Sequence, residues 1–474
     1  MRAFHRKACL AALLFPVALG CLPSWAQEKQ YALRGTLVTP MEVIANGTIL
    51  IVGDKIKDLG KDIAVPAGTQ VIDTGGFIYP GLIDLHDHLT WNFLPRWKPN
   101  REFANRYEWQ ALPEYKIVLT TPEGKVFDDG LACDTEQFAE VKAIVGGATS
   151  VVGSLNQWNL KPDKQKCIEG LARNLDFYSG LYPPNPAKPG NVEKLRNEVF
   201  PLELSEAEVS NITKALDSGA LTAFVVHLAE GKPTDASAAR EFRMLKARGF
   251  LRPGVSIIHG VALHQAEFSQ MHDAGVGLIW SPHSNIGLYG DTTDVRAAKQ
   301  AGLKIALSPD WSPTGSDGML QELKYAATWN AGQSPPVFTD AELVQMATAN
   351  PAQLARVDTM IGSLKPQHFA DLLVVRSKEA DAYRALLHAS PGDVRLVIIG
   401  GIPAYGDQEL LEKLVPAGQL EALQVCGASK ALDFESESAL QGSGPKTWKQ
   451  TTEDLRHALN EWGLPLAQLT ECPN

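Results

Sequence analysis

None of the six cysteines in this 474-residue chain sits in a Cys-x-x-Cys pair, so a zinc knuckle is not indicated. No block of like charge stands out, and 54 acidic against 44 basic residues leave a net charge of −10. That balance argues against nucleic acid or an anionic membrane surface as the partner. There is no internal repeat and no low-complexity tract. After the first residues no apolar run is long enough to suggest a membrane span.

What is present is ordinary for a globular chain: 45% hydrophobic and 21% charged residues, with a length that suggests two or three domains. The N-terminus stands apart. Arg2, Arg6 and Lys7 form a positive cluster, residues 8–22 are apolar, and Ser24 and Ala26 put small residues where a signal peptidase reads. The expectation is a leader over residues 1–26, a mature chain starting at Gln27, and a periplasmic or secreted protein. An N-terminal anchor helix is one alternative. Lipidation at Cys21, in a loose lipobox-like stretch, is another. Leader removal leaves Cys133, Cys167, Cys426 and Cys472, an even count that suits disulfides in an oxidising compartment. Four cysteines allow three pairings. Proximity in the chain favours Cys133–Cys167 and Cys426–Cys472, against the alternative of four free thiols.

Residues 31–38, 48–52 and 55–59 read as short strands, with Asn46-Gly47 and Gly53-Asp54 as turn chemistry between them. From about residue 80 to 359 the pattern changes. Apolar runs at 82–85, 149–152, 223–226, 255–258, 276–279 and 304–307 alternate with helical stretches at 135–145, 205–216, 236–247 and 292–301. Such alternation implies a parallel sheet. Six visible strands, with room for two more between 153 and 222, fit a (β/α)8 TIM-like barrel. A doubly wound open sheet competes, but no Gly-rich phosphate loop follows its first strand. Strands return at 370–375 and 394–399, so residues 27–79 and 360–409 are expected to form one small β-sandwich domain. Residues 410–474 read as a polar, helical C-terminal extension.

His86 and His88 follow the apolar run 82–85. Residues two apart on a strand point the same way, so both imidazoles can reach one metal. His227, His259 and Asp310 each end a later apolar run, and in a barrel the strand ends converge on the face where active sites sit. Each alone has a bland reading, as a surface histidine or a helix-capping aspartate. Together with His86 and His88 they form a constellation that the bland readings do not explain.

The resemblance then becomes specific. Pro80-Gly81-Leu82-Ile83-Asp84-Leu85-His86-Asp87-His88 resembles the first-strand signature of the amidohydrolase superfamily. His227-Leu228-Ala229-Glu230 is similar to the H-x-x-E segment of the branch holding cytosine and guanine deaminases, imidazolonepropionase and triazine hydrolases. Ser281-Pro282-His283-Ser284-Asn285 and the stretch Ile361-Gly362-Ser363-Leu364 to Ala370-Asp371-Leu372 resemble later segments of that branch, in its order.

The resemblance implies one divalent metal, zinc first and iron as the alternative, held by His86, His88, His227 and Asp310. It also implies Asp310 as proton acceptor from water, Glu230 as proton shuttle and His259 as a group that polarises an oxygen. Many relatives bridge two metals through a carboxylated lysine. Lys194 is the one candidate here, and its charged neighbourhood favours a single metal. Trp91, Asn92, Tyr107, Trp109, Arg173 and Asn285 are the candidate substrate contacts, the aromatics either as stacking surfaces for a flat ring or, equally, as packing that holds a long loop down. The reaction implied is deamination of a nitrogen heterocycle. Hydrolysis of a cyclic or linear amide is the runner-up, and a non-catalytic metal-binding homologue is a remote third reading. The partner is a small molecule, and the oligomeric state, homo-oligomer included, stays open.

Overall fold

The computed structural model describes residues 29–153, 171–177, 181, 193–416, 418–434 and 446–472. The expected leader and Cys167 lie outside them. Four strands open the chain: β1 (Gln30–Val38), β2 (Val43–Val52), β3 (Lys55–Gly60) and β4 (Gln70–Pro80). Gly53-Asp54 turns β2 into β3, as its chemistry suggests. Asn46-Gly47 does not form a turn. Asn46 adopts φ 54° inside β2, where the pairing with β1 slips register, so the dipeptide makes a bulge.

Among the described residues eight short strands follow: β5 (Leu82–Ile83), β6 (Ala148–Val151), β7 (Arg173–Asn174), β8 (Leu195–Glu198), β9 (Ala223–Leu228), β10 (Val255–His259), β11 (Gly277–Trp280) and β12 (Ile305–Leu307). They pair in parallel as β5-β6-β7 and as β8 through β12. Backbone bonds join the two sets. Lys194 N–H donates to Asp176 at one junction, and an Asp87–Asp310 bridge links the first strand's end to the last at the other. Ile83, Leu195, Val225, Ile258, Ile279 and Ala306 belong to one buried cluster spanning both sets. The chain is a TIM-barrel-like α/β protein. β9 is buried on both faces, which is why it reads as an unbroken apolar run. The helix Glu206–Ser218 shows how local sequence sets the outer layer. Ser205 and Glu208 cap its start reciprocally, and Gly219 at φ 71° ends it.

β13 (Leu372–Val375), β14 (Val394–Ile399), β15 (Ile402–Asp407), β16 (Leu420–Val425) and β17 (Ala428–Asp433) complete the strands. All five join β1–β4 in one nine-stranded sheet, through the antiparallel pair β13–β4. Strands from both ends of the chain therefore lie in one continuous hydrogen-bonded sheet, where a small β-sandwich was expected. The segment after residue 410 is not simply helical. The β16–β17 hairpin extends the sheet, and only Trp448–Asn460 forms a long helix. Cys426 and Cys472 are disulfide-bonded, which ties the tip of that hairpin to the chain's end. Cys133 is also disulfide-bonded, and its expected partner Cys167 lies outside the described residues. Among the described residues no helix is long and apolar enough to cross a membrane.

Candidate metal centre

β4 runs directly through Gly81 into β5, so the β-sheet domain fixes the chain that carries His86 and His88. The Asp310 N–H donates to the His86 carbonyl, and the His88 N–H to the Asp310 carbonyl, so first and last strand ends are stitched at the site itself. Gly153 presses on the same place. A Cβ there would come within 1.7 Å of the Asp87 carbonyl oxygen, so only glycine lets the segment after β6 approach. His259 at φ 64° and Asp310 at φ 74° both hold left-handed backbone that non-glycine residues seldom adopt. Such strain persists only where surrounding structure enforces it, and it concentrates at functional sites.

The expected ligand atoms converge. Nε2 of His86 is 2.9 Å from Oδ1 of Asp310, and Nε2 of His88 is 3.5 Å from the same oxygen. Nε2 of His88 and Nε2 of His227 are 3.3 Å apart. Ligand atoms about a tetrahedral, zinc-sized ion, bound at roughly 2.0–2.2 Å, stand about 3.3 Å from one another. The residues present thus fit such an ion in both spacing and donor type. His86, His227, His259 and Asp310 also form a set whose ligand atoms all lie within 4.8 Å of one another, so His259 faces the same space.

Burial lowers the pKa of His86, against the pull of Asp310. It brings His88 down to about 4, helped by His86, and drives His227 well below the usual histidine range. Neutral imidazoles keep the lone pairs that a metal needs. Burial opposes the charge on Asp310, but His86, His259 and His88 together hold that carboxyl below the ordinary range.

Glu230 is buried beside this set, with Oε2 3.7 Å from Nε2 of His259. Asn285 does not face open space. Its Oδ1 accepts from Nδ1 of His259 at 2.9 Å, and its amide turns to Thr292 and Thr293, so it orients His259. Asn92 is likewise used internally. Its amide donates to both Asp87 oxygens at 2.9 and 3.0 Å, and its Oδ1 accepts from the Ser312 N–H.

Arg173, a candidate substrate contact, is engaged within the protein. Its guanidinium pairs bidentately with Asp371 at 2.9 and 2.8 Å, pinning β7 to the start of β13. Both side chains are about 95% buried, at 6% and 4% exposure. Breaking a buried pair strands a charge, so Arg173→Ala is expected to lose about 3–5 kcal/mol of stability. Denaturant unfolding measures this; a substrate role would instead leave stability intact and raise KM.

The aromatics divide. Tyr107 is 45% exposed and donates to Glu241, away from the histidines. Trp91, Trp109, Tyr115 and Trp311 form one patch with ring centroids 5.0–6.4 Å apart. Trp311 lies 5.7 Å from the His88 ring, so the patch borders the metal centre. Trp311 and Tyr115 were not anticipated. Trp311 directly follows Asp310, a placement that alone was a usable signal. Lys194 is half-buried and directly precedes β8, with Nζ 3.5 Å from the Ala220 carbonyl oxygen.

Residues 203–403 match the amidohydrolase family. The chain is 23% identical over 392 residues to 5'-deoxyadenosine deaminase of Methanosarcina mazei, covering 76% of this chain and 88% of that one. Its fold is similar to that of a triazine hydrolase from Arthrobacter aurescens, with a TM-score of 0.64 at 18% identity over 80% of this chain and 95% of the other. It is also similar to an adenosine deaminase from Xanthomonas campestris solved with bound zinc, with a TM-score of 0.63 at 16% identity over 79% and 92% of the two chains. The segment that matches the amidohydrolase family, residues 203–403, contains His227, Glu230, His259 and Asp310.

Proposed function

We propose that this protein is a metal-dependent hydrolase of a non-peptide carbon–nitrogen bond, and that its reaction is deamination of a nitrogen heterocycle. The observation that carries this reading is the buried carboxylate of Glu230 standing beside His259 at the edge of the His–Asp cluster. In this reading His86, His88, His227 and Asp310 hold one divalent ion, zinc in preference to iron. Such an ion, when bound, lowers the pKa of water toward about 7 and so makes hydroxide available at neutral pH.

The chain's own groups do the rest. Asp310 takes the proton that water gives up. Glu230 hands a proton to the ring nitrogen or to the departing amino group. His259, oriented by Asn285, steadies the developing negative oxygen. Trp91, Tyr115 and Trp311 offer flat faces for the ring and keep bulk water from the cluster. Water and an amino-heterocycle thus give the keto compound and ammonia. We also propose export, with residues 1–26 removed. The Cys426–Cys472 disulfide supports an oxidising compartment.

The test is ammonia release from 5'-deoxyadenosine, guanine and amino-triazines, with metal-stripped protein as control, alongside elemental analysis. Expected are about one metal per chain and ammonia only from the loaded protein. Two tightly bound metals per chain would overturn the single-ion assignment. Equal release by stripped protein would overturn metal dependence.

A further inference from the structure

Glu230 sits in a hydrogen-bond chain that none of the family-like motifs contains. The Trp109 Nε1–H lies 2.9 Å from the Tyr289 hydroxyl oxygen. The Tyr289 hydroxyl in turn lies 2.6 Å from Oε1 of Glu230. The direction of this chain is fixed by chemistry. An indole N–H can only donate, so the tyrosine oxygen accepts from it. The single hydroxyl proton of Tyr289 is then directed to Oε1. All three side chains are buried, which removes water as a competing partner. Burial foremost, with the charge of Glu230 next, raises the Tyr289 pKa well above its usual value, so the group remains a donor at any working pH.

The other carboxylate oxygen is treated differently. Oε2 is the one turned to His259, at 3.7 Å. Arg106 stands 4.0 Å from it, too far for a hydrogen bond, while its guanidinium donates to the Val199 carbonyl at 2.7 Å. The two oxygens therefore have separate duties. Oε1 is anchored and Oε2 faces the chemistry. The helix Pro282–Tyr289 carries both anchors. Asn285 and Tyr289 are four residues apart, on one face, and hold His259 and Glu230 respectively.

We propose that Tyr289, itself set by Trp109, is a positioning residue that fixes the rotamer of Glu230 and reserves Oε2 as its proton-carrying oxygen. This rests on the proton-transfer role assigned to Glu230 above. Tyr289→Phe keeps the ring and removes only the hydroxyl. It is expected to keep its fold and its metal, to leave KM within about threefold, and to lower kcat about 10- to 100-fold, the scale for losing a hydrogen bond to a charged group. Trp109→Phe is expected to lower kcat less. In a Glu230→Gln background Tyr289→Phe is expected to change kcat no further, because its effect passes through Glu230.

A readout independent of turnover is the indole N–H resonance of Trp109 in tryptophan-labelled protein, assigned by its loss in Trp109→Phe. The resonance is expected to shift in Tyr289→Phe and, by way of the hydroxyl, in Glu230→Gln. Substrate for the kinetic arm is whichever of 5'-deoxyadenosine, guanine or an amino-triazine releases ammonia. If Glu230→Gln is crippled while Tyr289→Phe turns over normally, the positioning role is overturned and the role of Glu230 stands. If Glu230→Gln itself turns over normally, both fall. An indole resonance unmoved by Tyr289→Phe overturns the chain even without a substrate.

Discussion

Alanine at His86 or His227 is expected to remove metal and activity together. Both rings are essentially buried, and their Nε2 atoms lie among the closest contacts of the cluster. Loss of a group that merely orients a ligand typically weakens metal affinity 10- to 100-fold, so loss of a ligand itself should exceed about 100-fold. Elemental analysis after gel filtration reads this directly. A thermal measure adds to it. An ion bound about a thousandfold below its free concentration stabilises the native state by about 4 kcal/mol, and this increment should vanish in the variants. A buried His→Ala change also leaves a cavity, so His227→Asn, which retains more volume, separates ligand loss from packing loss. A His227→Asn protein that retains stoichiometric metal would remove His227 from the ligand set.

Glu230→Gln should behave in the opposite way. The side chain keeps its size, and its amide oxygen can still accept the Tyr289 hydroxyl proton. Metal content and Tm are therefore expected to match the parent. Turnover is expected to fall at least about 100-fold, the usual scale for removing a general acid–base group. His259→Ala should share this pattern if His259 acts on the substrate's oxygen, and should instead lose metal if it is a ligand. The cluster geometry makes this a real contest, because the ligand atoms of His259, His86, His227 and Asp310 all lie within 4.8 Å of one another. Comparing metal content with kcat across the variants decides it. Glu230→Gln purified without metal would show that its carboxylate holds the ion rather than a proton.

The strands that carry the site were legible because a buried parallel strand must be apolar along its whole length. The runs before His86, His227, His259 and Asp310 stood out for that reason, and each lies at a strand end or just beyond one. The turn expected at Asn46-Gly47 failed for the converse reason. Asn-Gly supplies left-handed backbone, and a bulge uses that as readily as a turn does. The β16–β17 hairpin was missed because its burial alternates only weakly, with β16 mostly uncovered and the end of β17 continuously buried. Its pairing depends on the edge offered by β15, 13 or more residues away in the chain.

What the sequence alone supplied is a short set of metal-ligand and proton-carrier residue types at strand ends, which the fold brings together at His86, His227, His259 and Asp310. What each polar neighbour does was decided only by tertiary structure. Arg173, Asn92 and Asn285 have the same side chains whether they bind substrate or protein. Which partner lies within 3 Å is set by chain segments far away: Asp371 for Arg173, Ser312 for Asn92, and His259 for Asn285. Tyr289 shows the same rule in reverse. Nothing in its local sequence marks it, and it gains a role only because the fold brings it within 2.6 Å of a carboxylate 59 residues away. Hydrogen bonds are short and directional, so their partners are chosen by the packing of distant segments rather than by sequence spacing.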